Sequence, residues 1–159
     1  MKSALKLLKL STAALGLSAI LTGCSSVART AAVEKAYPPI GAFVEVTGGK
    51  VHYLRAGSGP ELILLHGAGG NLRDFTFDLF DILAKRYTVT AFDRPGMGYT
   101  DRVPNVPKGL TETEGDSPQD QARMLREAAA KIGITNPIVA CHSFGGIVAY
   151  AWATAGLRD

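Results

Sequence analysis

The stretch from Pro137 to Gly146, Pro-Ile-Val-Ala-Cys-His-Ser-Phe-Gly-Gly, constrains the fold more than any other part of this chain. An apolar run meets a serine and then two glycines, which is the pattern of a strand, a sharp turn and a helix. A serine hydroxyl is a weak nucleophile at neutral pH unless a base takes its proton and the backbone exposes it. The strand-to-helix elbow meets the second need, because it lifts Ser143 above a sheet where the N–H of Phe144 and the start of the helix face a reacting atom. Small residues two before and two after the serine let the turn close. Here they are Cys141 and Gly145, so the G-x-S-x-G spacing is present with cysteine in its first place.

The residues upstream supply the sheet that such an elbow needs. Phe43 to Val46 and Val51 to Arg55 are β-branched and aromatic runs separated by Thr47-Gly48-Gly49-Lys50, and they predict a hairpin. Glu61 to Leu65 is almost wholly apolar, as a strand covered on both faces requires. It stops at His66-Gly67-Ala68-Gly69-Gly70-Asn71, after which Leu72, Phe75, Leu79, Ile82 and Leu83 recur at helical spacing with Asn71 as cap. Tyr87 to Phe92 predicts the next strand, ending in Asp93-Arg94-Pro95-Gly96-Met97-Gly98-Tyr99-Thr100. A polar segment with Pro104, Pro107, Gly109 and Gly115 reads as a surface loop. Ser117 and Pro118 open a helix as cap and first residue, with Ala122, Leu125, Ala128, Ala129 and Ile132 as its buried stripe and Gly133 as its end. The fold class is therefore α/β, a mostly parallel sheet with an opening β-hairpin and helices on both faces.

The first forty residues follow different rules. Lys2, Lys6 and Lys9 precede an apolar run from Leu10 to Leu21, too short to span a bilayer but suited to the core of a secretory signal. The run closes in Leu21-Thr22-Gly23-Cys24, which resembles the lipobox of bacterial lipoproteins. That resemblance implies a signal peptide over residues 1–23, a lipid on Cys24 that holds the chain to a bilayer, and, with Ser25 rather than aspartate next, the periplasmic face of the outer membrane. Residues 24–39 are small and polar, lack either hydrophobic period, and read as a lipidated tether. Without the three signal lysines, the 17 Lys and Arg residues fall level with the 14 Asp and Glu, so no basic patch supports a nucleic-acid partner. With Cys24 lipidated, Cys141 is the remaining cysteine and an intrachain disulfide is excluded.

Three glycine-bearing loops fall at the carboxyl ends of the strands, where ligands sit in sheets of this kind. His66-Gly67, Asp93-Arg94-Pro95-Gly96-x-Gly98 and His142-Ser143-x-Gly145-Gly146, in that order, resemble the α/β-hydrolase fold and in particular its single-domain serine hydrolases. The resemblance covers Ile40 to Asp159. It implies that Ser143 is the nucleophile, that the backbone N–H groups of Ala68 and Phe144 form the oxyanion hole, and that His66, Gly67, Asp93 and Gly145 support these loops. The implied substrate is a small acyl compound, an ester or similar, processed through an acyl-enzyme without a cofactor or metal. Within that resemblance His66 shapes the oxyanion loop, and Asp93 holds its own turn with Arg94 as neighbour. His52 and His142 read as structural, and Cys141 as a small buried packing residue. A dinucleotide site at the first loop fails on spacing: with glycines at 67 and 69 the third should fall at position 72, which is Leu72.

The family's chain order is serine, then acid, then histidine, the last two following later strands. The resemblance therefore implies that residues 40–159 are the N-terminal half of such a domain, without the triad acid and base. It also implies that the elbow strand, central in the family, becomes a sheet edge here. Two readings follow: a lipid-anchored serine hydrolase, or a catalytically incomplete lipoprotein fragment.

Overall fold

The computed structural model describes residues 28–104 and 116–155; the signal sequence, Cys24 and most of the polar segment after Pro104 lie outside the described residues. The chain divides into two compact units, Met1–Pro39 and Ile40–Asp159.

In the first unit, residues 28–36 are helical (α1) and exposed throughout. The tether reading anticipated no regular structure there. Ala28, Ala31, Ala32 and Ala36, with Arg29, Glu34 and Lys35, are strong helix formers, so local propensity makes a helix without an apolar stripe.

The second unit begins with β1 (Ala42–Val46) and β2 (Gly49–Ala56), an antiparallel hairpin pairing Val46 with Gly49 and Ala42 with Tyr53. Gly48 turns at φ 88°, a conformation that favours glycine. β3 (Glu61–Leu65), β4 (Thr88–Phe92) and β5 (Ile138–Cys141) complete a five-stranded sheet in the order β1-β2-β4-β3-β5. β3 runs parallel to both β4 and β5, and β2 runs antiparallel to β4.

Side chains alternate across this sheet as the strand period demands. Ile63 and Leu65 join Phe92, Leu125, Ala128 and Val148 in one core, under α3 (Pro118–Lys131) and α4 (Gly145–Thr154). Leu62 and Leu64 join Leu72, Phe75, Phe80, Val89 and Ala91 in the other. α3 starts as expected: Ser117 Oγ accepts from the Asp120 N–H at 3.2 Å and Pro118 takes the first position. It ends at Lys131, so Ile132 is its cap and only partly buried, and Gly133 follows at φ 79°.

The single helix expected after Asn71 is instead a 3₁₀ turn, Leu72–Phe75, and a short helix α2, Leu79–Ala84. Asn71 does cap, its Oδ1 accepting from the Arg73 N–H at 2.9 Å. Thr76-Phe77-Asp78 then interrupts the helical phase, so Phe80 reaches the core while Leu79 and Ile82 are 47% and 57% exposed.

Among the described residues β5 pairs with β3 alone and forms an edge of the sheet, as expected. Ile138, on that edge, is 53% exposed. Cys141 is exposed rather than buried, a correction that follows from its place at the end of an edge strand with no neighbour outside it among the described residues. A groove of about 620 Å³ opens beside β5, lined by Ala129, Ile134, Val139, Ala149 and Trp152 among others, and reaches none of the glycine loops.

Candidate active site

Because β3 lies between β4 and β5 and runs parallel to both, the three loops leave the sheet side by side at one end. The elbow is bound directly to its neighbour: the His142 N–H donates to the Leu65 carbonyl at 3.0 Å. Ser143 is exposed and sits at φ 50°, one of two non-glycine residues at positive φ among the described residues, the other being Asn136. A side chain held there carries strain, which a nucleophile elbow characteristically stores. The turn closes through the N–H of Gly145 on the His142 carbonyl at 2.9 Å and that of Gly146 on the Ser143 carbonyl at 2.8 Å.

Two glycines permit the close approaches. A Cβ on Gly145 would strike the carbonyl oxygens of Leu65 and His66, so the start of α4 lies directly on the end of β3. A Cβ on Gly67 would fall 2.9 Å from His142 Nδ1 and 3.3 Å from Ser143 Cβ, which places the first loop against the elbow. Ala68 is exposed and Phe144 half-buried, and the N–H of neither has an acceptor among the described residues.

His66 is fully buried. Its Nε2 accepts from the Arg94 N–H at 2.9 Å, so Nδ1 carries the proton and donates to the Gly67 carbonyl at 2.9 Å. Burial pushes its pKa down, and the nearby Arg94 charge adds to that, so the ring stays neutral. With both nitrogens engaged it shapes the loop and is not placed to act as a base.

Asp93 ends β4 and ties three elements together. Its Oδ1 accepts from the Leu72 N–H at 2.7 Å, while Oδ2 accepts from the Tyr99 N–H at 2.9 Å and His52 Nδ1 at 2.7 Å. Burial alone would raise its pKa, but the hydrogen bonds from His52, Leu72 and Tyr99 outweigh it and hold the carboxyl below the ordinary range. His52 is structural, with Gly41 N–H on its Nε2 at 3.3 Å.

Arg94 was expected only as a neighbour of Asp93, and it is more than that. Its guanidinium is buried, donating from Nε to the His66 carbonyl at 2.9 Å, from Nη2 to the Gly67 carbonyl at 2.8 Å and from Nη1 to Gln121 Oε1 at 2.7 Å. Its Cζ lies 4.8 Å from the centre of the Phe144 ring. The one sequence signal was Gln121, a polar residue inside the buried stripe of α3.

Residues 62–158 match the sequence model of the Alpha/beta hydrolase family. The chain belongs to this family. This alpha/beta hydrolase is similar to the dihydrolipoyllysine-residue acetyltransferase component of the acetoin cleaving system of Cupriavidus necator, 39% identical over 108 residues that cover 67% of the chain and 26% of the relative. It is 32% identical over 108 residues to the soluble epoxide hydrolase of Corynebacterium sp., covering 68% of the chain and 34% of the relative. Among solved structures, a membrane phospholipase A described as a bacterial virulence factor superposes with a TM-score of 0.58 at 27% identity, over 97% of this chain and 48% of that one. The chain thus spans 26% and 34% of the length of these two curated relatives.

Proposed function

We propose that this alpha/beta hydrolase uses Ser143 to cleave an ester-type acyl bond. The observation that carries the reading is the exposed Ser143 at φ 50°, held against a loop whose Ala68 N–H, like that of Phe144, lacks an acceptor among the described residues. In this mechanism Ser143 Oγ attacks the acyl carbonyl, its proton passes to a general base, and the carbonyl oxygen becomes an oxyanion on the two N–H groups. Collapse expels the alcohol, which takes the proton, and water then releases the acid from the acyl-enzyme. Serine at the elbow distinguishes this chain from the epoxide hydrolase branch, in which the resemblance places an aspartate there. The similarity to a membrane phospholipase A supports an ester substrate.

The triad acid and histidine belong, in this proposal, to the half of the fold outside these 159 residues. The Cys24 lipid holds the domain at the periplasmic face of the outer membrane; among the described residues no helix is long and apolar enough to cross a membrane. Replacing Cys24→Ala is expected to release the protein from the membrane fraction of cells, and unchanged fractionation contradicts the anchor.

A second reading, the catalytically incomplete lipoprotein fragment, is favoured by one observation: both ring nitrogens of His52 and of His66 are engaged in structural hydrogen bonds. A fluorophosphonate probe separates the two. Rapid labelling that disappears in Ser143→Ala supports the enzyme, and absent labelling supports the fragment.

A further inference from the structure

We infer that Arg94 is a positioning residue that aims the Ala68 N–H into the site by gripping the carbonyl on the other side of the same peptide unit. The inference rests on the reading of Ser143 as nucleophile. In a planar trans peptide the C=O and the N–H point in opposite directions, and no described peptide bond is cis. The Gly67 carbonyl collects Arg94 Nη2 at 2.8 Å, His66 Nδ1 at 2.9 Å and the Gly70 N–H at 3.4 Å. The two buried donors, Arg94 and His66, draw the oxygen toward their cluster, so the Ala68 N–H is turned away from it, to the side where Ala68 is exposed.

The loop needs such a restraint. Gly67, Gly69 and Gly70 flank Ala68, and glycines lower the barrier to alternative peptide orientations. His66 is part of the same loop and moves with it, whereas Arg94 belongs to the loop after β4 and is fixed independently, through Gln121 of α3. Arg94 is 1% exposed, and among the described residues no carboxylate forms an ion pair with it. Its buried charge is satisfied by carbonyl dipoles and one amide oxygen instead. The same guanidinium lies 4.8 Å from the centre of the Phe144 ring, so one cation touches Phe144 and the Gly67 carbonyl of the peptide unit that carries the Ala68 N–H. Lysine cannot replace it, because a point charge on a flexible stem does not span the three acceptors that the planar fork holds at once.

The test uses the protein together with the half of the fold proposed to carry the acid and histidine, and Arg94→Lys, which keeps the charge. Labelling of Ser143 by a fluorophosphonate probe is expected to slow by about tenfold or more, with a cooperative thermal transition retained. In parallel, carbonyl-¹³C glycine and ¹⁵N alanine labelling isolates two Gly-Ala peptides by NMR, Gly67–Ala68 and, as internal control, Gly41–Ala42. The Gly67–Ala68 signal should move, its carbonyl shifting upfield as hydrogen bonds are lost, while the control stays. A labelling rate within twofold of wild type, or an unmoved Gly67–Ala68 signal, overturns the inference. If wild type forms no adduct at Ser143, the nucleophile reading fails and with it the catalytic role of Arg94, and the NMR signal alone decides whether Arg94 holds this peptide.

Discussion

His52 Nδ1 lies 2.7 Å from Asp93 Oδ2, joining β2 to the end of β4 through two buried side chains. The same carboxylate holds the N–H of Leu72, where the glycine loop after β3 ends, and that of Tyr99, where its own turn closes. Asp93→Asn puts an amide NH₂ against donors and should destabilise the domain by about 2–3 kcal/mol in urea unfolding. Its folded-state pKa is depressed, so its contribution is present above the unfolded value of about 3.9 and is lost as pH falls through the folded value. The variant should therefore lose less stability than wild type below about pH 4.

His66 acts in a different window. Burial holds its folded pKa below the ordinary histidine value, so its contribution is full above about pH 6.5 and declines as pH falls from there through the folded value. Stability measured against pH should bend downward below about pH 6.5 in wild type and lose that bend in His66→Asn. An unchanged bend would assign it to another group.

Relief of backbone strain should be visible at the elbow. With Ser143 at φ 50°, Ser143→Gly is expected to be more stable than Ser143→Ala by about 1 kcal/mol in the same urea assay, although both lose the proposed nucleophile. Equal stabilities would mean that the elbow carries no strain.

Gly145 and Gly67 should fail in different ways. A methyl at 145 meets backbone carbonyls that cannot move, so Gly145→Ala should cost about 1–3 kcal/mol of stability. A methyl at 67 meets the His142 and Ser143 side chains, so Gly67→Ala should keep most stability but slow labelling of Ser143.

The edge at β5 should govern association. Ile138→Lys places a charge on the exposed apolar edge and is expected to lower concentration-dependent association in sedimentation velocity.

The parts of the fold legible in the sequence are those governed by local rules. β3 has the bounds that its apolar run predicts, Ser117 and Pro118 start α3, and the elbow stands where the serine and glycines put it. The helix after Asn71 was misread because Leu79 and Ile82 keep a helical spacing across the Thr76–Asp78 interruption, yet face outward. Cys141 was misplaced because its burial depends on what lies beside β5, which spacing does not encode. Arg94 was underrated for a similar reason: its partners at positions 66, 67 and 121 meet only once β3, β4 and α3 have packed.

Ser143 as nucleophile is tested most directly by peptide mass spectrometry, after fluorophosphonate treatment, of the protein together with the half of the fold proposed to supply the base. A single phosphonyl adduct is expected on Ser143 in wild type and none in Ser143→Ala. An adduct that persists in Ser143→Ala, or a wild-type chain that stays unmodified at Ser143, would contradict it.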